Sequence, residues 1–356
     1  MAGSARANDI RIELFSDTKT RPSAAMLAAM AEAATGDEQA MEDPTTLSLE
    51  ERVAELLGKE AAVFLPSGTM CNQIALQIHC RPGDAVIADK TAHIIGFEGG
   101  GAGATAGVNI MPLQGVRGVY TVEQAAEAIP PRSNRYAPRV TLIEVEQTAN
   151  LGGGTVWPVD RIDALGALAR DKDCALHMDG ARLMNAVAAL GEPAARIVQA
   201  TDSVWIDLSK GLGCPVGAVL AGSKDFIAEA WRVKQRMGGA LRQSGYLAAA
   251  GLYALDHNLA RLVEDNTNAK LFADGIAGLP GIELDPATVH SNIVLYHIAD
   301  DAALDAPAIS AALMKKGIRI GAFDKRTMRA VTHLDVSRVQ VEEAVDAMQA
   351  LLQGAA

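Results

Sequence analysis

Two charged residues, Asp179 and Lys210, stand at the ends of apolar segments that are predicted to be strands. Asp179 ends CALHMD (174–179), and Lys210 follows SVWIDLS (203–209) in the run DLSKGLG. In an open α/β sheet, ligands bind at the carboxyl ends of the strands. A partly desolvated lysine there is a nucleophile towards an aldehyde, and an aspartate can pair with a protonated pyridine nitrogen. The two residues predict a site for pyridoxal 5′-phosphate (PLP), although their spacing alone also fits a surface lysine and a helix-capping aspartate.

A second candidate site is the run Ser67, Gly68 and Thr69, between the apolar segment 61–65 and a predicted helix over about 70–80. Backbone N–H groups at a helix N-terminus, with a hydroxyl beside them, can bind an anion such as a phosphate group. The same three residues can equally be an ordinary helix cap.

His93 follows the predicted strand DAVIAD (84–89). In a cleft, its imidazole can stack on a pyridine ring or transfer a proton, and it can also be a structural histidine. The histidines show neither HxxxH nor HExxH spacing. We therefore expect no metal hydrolase and assign no metal-binding residue.

Residues 101–106 match the dinucleotide-binding pattern G-x-G-x-x-A. That fingerprint requires a strand before the glycines and a helix after them. Here HIIGFEGG is a poor strand, and the following VNIMPL is predicted to be a strand. We therefore do not expect a nicotinamide oxidoreductase, and we interpret the glycines as a turn where backbone passes closely.

The elements that would position these residues alternate between strands and helices. Apolar runs predict strands over 61–65, 84–89, 139–145, 174–179, 203–209 and 216–222, with helices over 70–80, 159–170 and 181–190. This alternation is typical of an α/β fold with a mostly parallel central sheet and helices on both faces. After a long helical stretch over about 245–275 the pattern becomes α+β. We predict an N-terminal arm and large PLP-binding domain over 1–245, beginning with a loose tail over 1–9, and a small domain over 246–356.

The composition excludes several function classes. The 356 residues include 43 acidic and 32 basic ones, so the formal net charge is −11 and the pI about 5.2. This balance argues against a nucleic-acid or anionic-membrane surface. The longest uncharged run, 99–116, is broken by glycines, Asn109, Pro112 and Gln114 and cannot replace a membrane span. Four cysteines without a CxxC pair exclude a disulfide scaffold, and the first fifteen residues lack a signal-peptide core, so we expect a cytoplasmic protein.

Six segments, in consistent order over about 15–350, carry a resemblance to a known family. They are FSDTKTRPS (15–23), LPSGTMCNQIAL (65–76), LHMDGARLMNA (176–186), DLSKGLGCPVGA (207–218), GGALRQSGYLAAAG (238–251) and RAVTHLDVS (329–337). The chain resembles the low-specificity L-threonine aldolases, which belong to the PLP-dependent β-eliminating lyases of fold type I. The resemblance implies the PLP-dependent transferase-like fold.

The resemblance also implies roles for the candidate residues around the cofactor. Lys210 matches the lysine that forms the imine with PLP, and Asp179 matches the partner of the pyridinium nitrogen. His93 matches the histidine stacked on the ring. Gly68 and Thr69 match the cup that holds the phosphate.

The substrate side of the site follows from the same resemblance. Ser16, Arg182 and Arg329 match the group that holds the substrate carboxylate, where arginine offers a planar fork, and Arg182 also contacts the cofactor. Arg242 matches an arginine that reaches the phosphate from a neighbouring subunit. The family is usually a homotetramer, a dimer of dimers, with active sites at the subunit interface.

Two departures from the family pattern concern the substrate side chain. Where the family often reads E-N-T-H-N, this chain has Glu-Gln-Thr-Ala-Asn at 146–150, so Ala149 replaces an imidazole that points at the β-hydroxyl. Where the family often reads Y-G-D-D-P, this chain has Ala-Met-Glu-Asp-Pro at 40–44. Both changes remove polar or aromatic bulk. They favour a roomier pocket, for a larger aldehyde product or an α-substituted substrate.

The predicted reaction is retro-aldol cleavage of a β-hydroxy-α-amino acid, similar to threonine or allo-threonine, into glycine or a related amino acid and an aldehyde. Lys210, Asp179 and His93 are the predicted catalytic residues. The base for the β-hydroxyl proton is His93 or an ordered water, and we favour the water because a stacked imidazole is badly aimed. The alternatives are another PLP-dependent β-eliminating lyase, a transaminase, or an inactive PLP-binding protein.

Overall fold

The computed structural model describes residues 10–354, so the tail predicted over 1–9 lies outside the described residues. The described chain forms a seven-stranded and a five-stranded sheet, both associated with helices. The predicted α/β class is confirmed.

The larger sheet contains the strands that the sequence predicted. In chain order they are β2 (Ala61–Leu65), β3 (Ala85–Asp89), β4 (Asn109–Leu113), β5 (Val140–Glu146), β6 (Ala175–Gly180), β7 (Ser203–Asp207) and β8 (Ala218–Gly222). The spatial order is β2-β8-β7-β6-β5-β3-β4. All neighbours pair in parallel except β8, which runs antiparallel to both β7 and β2. The carboxyl ends of β5, β6 and β7 therefore meet at one edge of the sheet.

Helices cover both faces of this sheet. They are α1 (Ala24–Ala31), α2 (Pro44–Leu57), α3 (Gly68–His79), α4 (His93–Gly96), α5 (Val122–Ala128), α6 (Val159–Lys172), α7 (Leu183–Leu190), α8 (Ala194–Ile197), α9 (Lys224–Arg236) and α10 (Gly245–His257). Alternate residues of β2 show the two faces, because Phe64 packs into one buried core while Val63 and Leu65 pack into another. Across residues 10–354, no helix has both the length and the apolar character that crossing a membrane requires.

The second sheet combines both ends of the chain. Its elements are β1 (Ile12–Leu14), α11 (Leu262–Ile276), β9 (Ile282–Glu283), β10 (Ile293–Ile298), α12 (Ala306–Met314), β11 (Ile318–Ala322), β12 (Thr327–Val331) and α13 (Arg338–Gln353). β1 pairs in parallel with β11, whereas the other neighbours are antiparallel. Helix α10 packs into the core of the large sheet. Ala269 is the first residue of α11 that packs into the core of the second sheet. The domain division at residue 245 stays a prediction.

Some local predictions differ from the structure. The helical stretch predicted over 245–275 is interrupted between α10 and α11. Helix α9 was not predicted, although the Ser223 hydroxyl caps it by accepting the N–H of Phe226 at 3.1 Å. The glycine-rich segment is not a simple turn, because residues 102–106 form one π-helical turn that ends at Gly107, with φ of 66°.

A buried ion pair joins the segment before α2 to helix α9. Lys234 Nζ lies 2.5 Å from Glu38 Oε1, and both side chains are at most 2% exposed. Glu38 Oε2 also accepts the N–H of Leu241 at 2.6 Å. The ammonium lies 4.0 Å from the centre of the Trp231 ring. Because both charges are desolvated, removing either one leaves the other without compensation.

Glu38→Ala is expected to lower the free energy of unfolding by about 3–5 kcal/mol, because it leaves the Lys234 ammonium buried and unpaired. Urea denaturation followed by circular dichroism measures the change. The control is Asp274→Ala, which removes the exposed partner of Lys270. It is expected to change the free energy of unfolding by less than about 0.5 kcal/mol. Equal losses in the two variants would contradict the assignment.

Candidate active site

A cavity of about 420 Å³ lies at the carboxyl ends of β5, β6 and β7, lined by residues from both sheets and from the N-terminal arm. It brings together eight of the ten residues predicted from the sequence, namely Ser16, Gly68, Thr69, His93, Asp179, Arg182, Lys210 and Arg329. Arg242 and Ala149 are not among the residues that line it.

Lys210 lies in the loop that follows β7. Its Nζ is 2.8 Å from Asp207 Oδ2, and its side chain is 16% exposed. The other oxygen of Asp207 accepts the N–H of Ser209 at 2.7 Å, which turns the chain directly after the strand. The Lys210 ammonium also lies 5.7 Å from the centre of the Trp205 ring. The amine is therefore held at a defined place and remains accessible from the cavity.

Asp179 is the penultimate residue of β6 and is 1% exposed. Its Oδ1 accepts the N–H of Ala181 at 3.0 Å, and its Oδ2 accepts from Asn72 Nδ2 at 2.8 Å. Burial raises the pKa of Asp179, while the charge of Lys210 and the bond from Asn72 act in the opposite direction. A cationic ligand group placed against this carboxylate would stabilise its ionised form.

His93 begins α4 and is tied to two carboxylates. Its Nδ1 lies 2.8 Å from Glu98 Oε1, and its backbone N–H donates to Glu146 Oε2 at 2.7 Å. Burial opposes the charged imidazole, but the bond to Glu98 and the nearby negative charges raise the pKa of His93. Its ring stacks on Phe97, with centroids 5.6 Å apart. The second ring nitrogen, Nε2, makes no bond to the residues that the structure describes.

One group of side chains in the described region has the composition of a metal site. The ligand atoms of His93, Glu98 and Asp179 all lie within 4.8 Å of one another. Each of these groups already has a hydrogen-bond partner, and Asn72 donates to both carboxylates. The group therefore belongs to the hydrogen-bonded wall of the cavity.

The N-terminus of α3 forms another wall. The Ser67 hydroxyl accepts the N–H of Met70 at 3.3 Å, and the N–H groups of Gly68 and Thr69 precede the first intrahelical bonds. Such N–H groups have no acceptor within the helix and favour an anion. Gly68 packs directly against the Trp205 ring, and a Cβ at this position would overlap that ring. A glycine is required here because the helix and the indole approach so closely.

Arg182 makes two parallel hydrogen bonds with Asp17, from Nε to Oδ2 and from Nη2 to Oδ1, each 2.7 Å long. Asp17 also accepts from Asn292 Nδ2 at 3.0 Å. Burial alone would raise the pKa of Asp17, but the charges of Arg182 and Lys210 hold it well below its usual range. The N-terminal arm therefore supplies the counter-charge that keeps a buried guanidinium in the cavity wall.

Arg329, on β12, is the second buried guanidinium. Its Nη1 donates to Asn150 Oδ1 at 2.8 Å, and its Nε is buried without a partner among residues 10–354. Burial and the neighbouring charge of Arg182 lower the pKa of Arg329 to about 10. Two guanidinium groups thus share one nearby carboxylate, Asp17. An anionic ligand group would balance this charge and could occupy the unpartnered donor.

Ala149 lies behind the cavity wall and is 3% exposed. Its methyl group packs against Gly118, where a Cβ would lie 2.6 Å from it. The space of the absent imidazole is therefore occupied, at least in part, by the backbone at Gly118. Glu146, three residues earlier in the chain, lines the cavity, and its oxygens accept the N–H groups of His93 and Asn150. Burial and the charge of Asp179 raise the pKa of Glu146 to about 7.

Arg242 lies outside the cavity, with a side chain that is 61% exposed and paired to Asp37 at 2.8 Å. Its predicted role towards a neighbouring subunit stays a prediction. Segment 40–44 differs from the family pattern. Within it, Asp43 caps α2 by accepting the N–H of Thr46 at 2.9 Å. That segment shapes the start of α2 and does not line the cavity in this chain.

The glycine-rich segment 101–106 has a structural role. Gly101 allows the Gln73 side chain to pass, since a Cβ there would lie 2.6 Å from it. Gln73 Nε2 donates to Glu98 at 2.6 Å, and Thr105 donates to Gln73 Oε1 at 2.6 Å. The segment therefore supports the carboxylate that holds His93, which agrees with the expected close backbone approach.

Sequence reasoning missed several residues of the site, which are Asp17, Asn72, Glu98, Trp205 and Asp207. Asp17, Asn72 and Asp207 lie within recognised segments, and Asn72 is a polar residue whose helix neighbours Ala75 and Leu76 are apolar. That combination is a usable signal, because a buried amide must find partners. Glu98 gives no such signal, since only the folded chain brings it beside His93.

The donor set fits PLP. Asp179 is placed to accept from a protonated ring nitrogen, Lys210 offers an amine for the aldehyde, and the N-terminus of α3 offers N–H groups to the phosphate. His93 presents a ring beside them. Arg329 lines the same cavity and keeps a buried Nε without a partner among residues 10–354.

Comparison with known proteins relates this chain to the β-eliminating lyases and the L-threonine aldolases. The family model of the β-eliminating lyases matches residues 13–299. A low-specificity L-threonine aldolase of Escherichia coli is 40% identical over 344 residues, covering 96% of this chain and 99% of that protein. Low-specificity L-threonine aldolase 1 of Arabidopsis thaliana is 38% identical over 341 residues, covering 95% of each chain.

Solved structures show the fold. The threonine aldolase of Leishmania major superimposes with a TM-score of 0.81 at 20% identity, covering 96% of this chain and 99% of that one. A serine palmitoyltransferase of Sphingomonas wittichii superimposes with a TM-score of 0.75 at 16% identity, covering 97% and 88%. Matched structures of this fold include one determined with PLP. The chain belongs to the β-eliminating lyase family, in its low-specificity L-threonine aldolase branch, and has the fold of the PLP-dependent enzymes of type I.

Proposed function

We propose that this protein is a PLP-dependent aldehyde-lyase that cleaves a β-hydroxy-α-amino acid into glycine and an aldehyde. The observation that carries the proposal is the cavity in which Lys210 and Asp179 face two guanidinium groups that share one carboxylate. Relatives at about 40% identity that are named L-threonine aldolases support threonine or allo-threonine as the substrate type.

The chain's own residues bind and orient the cofactor. Gly68 and Thr69 would offer their N–H groups to its phosphate, His93 would present its ring to the pyridine, and Lys210 would offer its amine to the aldehyde. Asp179 holds the proton on the ring nitrogen, because burial makes an isolated carboxylate costly and a cationic partner favourable. When bound, PLP supplies a cationic ring that accepts electron density from the substrate Cα.

Arg182, Arg329 and Ser16 bind the substrate carboxylate. The excess positive charge of the two guanidinium groups attracts it, and the unpartnered Nε of Arg329 gives it a donor. Holding the carboxylate at one side of the cavity would fix the orientation of the Cα–Cβ bond. Such positioning lowers the barrier because the breaking bond is already aligned.

The proton of the β-hydroxyl goes to an ordered water in this proposal. Ala149 provides no base, and the space beside it is partly occupied by Gly118. His93 is held through Nδ1 by Glu98, and an imidazole that lay against the cofactor ring would be badly aimed at the hydroxyl. Glu146 already accepts two backbone N–H groups.

The substrate side chain faces an apolar rim, since Phe97 and Phe323 line the cavity and are 49% and 46% exposed. This rim supports acceptance of a bulkier, phenylserine-type or α-substituted substrate. We also propose a homo-oligomer, a dimer of dimers, in which Arg242 serves the neighbouring site. The exposure of Arg242 outside its own cavity supports that arrangement.

The proposed activity is tested with purified, PLP-loaded protein and a panel of threonine, allo-threonine, phenylserine and their α-methyl analogues. Aldehyde release is expected from at least one of them, and Lys210→Ala is expected to abolish both release and the visible absorption band of the bound cofactor. Release of pyruvate and ammonia, or amino-group exchange with a keto acid, would instead identify a β-eliminating lyase or a transaminase. Cofactor binding without any turnover would overturn the enzymatic proposal.

The water as base is tested with His93→Asn and His93→Ala. Loss of a general base costs about 10²–10⁴-fold in turnover, so retention of kcat within about tenfold in both variants is expected. Steady-state kinetics on the best substrate of the panel measures this. A loss of 10²-fold or more in kcat, with the cofactor still bound, would make His93 the base.

The close approach at the helix N-terminus is tested with Gly68→Ala. A Cβ there overlaps the Trp205 ring, and such overpacking lowers the free energy of unfolding by about 1–3 kcal/mol. PLP binding is expected to weaken with it, because the displaced helix no longer presents its N–H groups to the phosphate. Gly103→Ala is the matched control, since a Cβ there meets nothing within 4 Å. Equal PLP dissociation constants for the two variants would refute the role of Gly68.

A further inference from the structure

Asn72 lies behind the cavity wall, at the centre of a buried hydrogen-bond chain, and is fully buried. Its Nδ2 donates to Glu98 Oε1 at 2.7 Å and to Asp179 Oδ2 at 2.8 Å. Its Oδ1 lies 2.7 Å from Trp205 Nε1 and 3.1 Å from His177 Nε2. The amide thus uses both of its donors and both acceptor positions of its oxygen.

The orientation of this amide follows from its neighbours. An indole N–H can only donate, so the atom that faces Trp205 must be the oxygen of Asn72. The NH₂ group then faces Asp179 and Glu98, which accept. In the inverted orientation, the amide oxygen would face two carboxylates and the NH₂ group would face the indole donor. Every bond to the carboxylates would then be lost.

The same reasoning fixes the protons further along the chain. His177 Nε2 faces the oxygen of Asn72, so it carries a proton, and burial keeps this ring neutral by lowering the pKa of His177 to about 3. Its Nδ1 therefore accepts from the Ser203 hydroxyl, 2.8 Å away. The Ser203 oxygen in turn accepts from His79 Nε2 at 2.8 Å. The hydrogen bonds therefore run in one direction, from His79 through Ser203 and His177 to Asn72, which donates to the two carboxylates.

We propose that Asn72 is a positioning residue for the cofactor, and that Ser203, by fixing the ring of His177, supports the amide orientation that Trp205 dictates and that serves Asp179 and Glu98. One amide then orients both the carboxylate that partners the ring nitrogen and the carboxylate that holds His93. This inference rests on the proposed function, because it assigns the purpose of Asp179 and His93. Neither Asn72 nor Ser203 touches the cofactor.

The hydrogen-bond chain matters because Asp179 and Glu98 are both buried and share one amide donor, Asn72. Without the amide between them, the two carboxylates would move apart or one would take up a proton. Either change would weaken the bond between Asp179 and the ring nitrogen. Ser203 acts at a distance, since its loss removes the bond that fixes the ring of His177 through Nδ1 and lets the ring shift away from Asn72.

The test measures the PLP dissociation constant of each variant by titrating the apoprotein and following the visible absorption band. The variants are Asn72→Ala, Ser203→Ala, the double variant, and Ser203→Thr, which keeps the hydroxyl. Ser310→Ala is the matched control, because it removes a hydroxyl that donates to the carbonyl of Ile320 in the second domain. Circular dichroism verifies that each variant folds.

Asn72→Ala is expected to raise the dissociation constant about ten- to hundredfold, because it removes a hydrogen bond to a charged group. Ser203→Ala is expected to raise it about three- to tenfold, the range for a bond between neutral groups, and Ser203→Thr to restore it. Since Ser203 acts through Asn72, the double variant is expected to bind no more weakly than Asn72→Ala alone. Ser310→Ala is expected to bind as the parent does.

Multiplied effects in the double variant would overturn the inference, because they would mean that the two residues act independently. Equal weakening in Ser203→Ala and Ser203→Thr would overturn it as well, and this comparison stands even if Asn72→Ala fails to fold. The readout is separate from turnover. A protein that binds PLP at Lys210 but cleaves no amino acid would refute the proposed activity and leave the hydrogen-bond chain intact.

Discussion

A buried carboxylate at the end of a central strand is the constraint on which the site depends. Asp179 is 1% exposed, and burial alone disfavours its charge. The protein offsets this with a backbone N–H from Ala181, an amide from Asn72 and the nearby Lys210 ammonium. These contacts are available only because the parallel strands β5, β6 and β7 end at one edge, where α3 and the loop after β7 converge on Asp179.

The opposite side of the cavity carries the opposite charge. Arg182 and Arg329 are both buried, and Asp17 compensates only the first of them directly. An amino-acid substrate has a carboxylate for this side, and a pyridine cofactor has a cationic nitrogen for Asp179. In the proposed function, these charges would allow the cofactor and the substrate to bind in one orientation. This orientation requires the second sheet, since Arg329 comes from β12 and Asp17 follows β1 in the N-terminal arm.

The absence of an imidazole at position 149 does not by itself set the size of the pocket. Replacing a large side chain by alanine predicts a roomier pocket when the backbone stays in place. Here Gly118 packs against the Ala149 methyl group and occupies part of the space beside it. The apolar rim of Phe97 and Phe323 is then the feature that supports a bulkier substrate, and it was not visible from the motif.

The sequence by itself determined the alternation of strands and helices, the place of Asp179 and Lys210 at strand ends, and the family, because periodicity and local motifs are encoded within short segments. The tertiary structure decided which partners these residues have. Glu98 meets His93, Asp17 meets Arg182, and His177 meets Asn72 only after distant segments pack together. Burial and hydrogen-bond direction depend on those long-range contacts, so no local pattern could predict them.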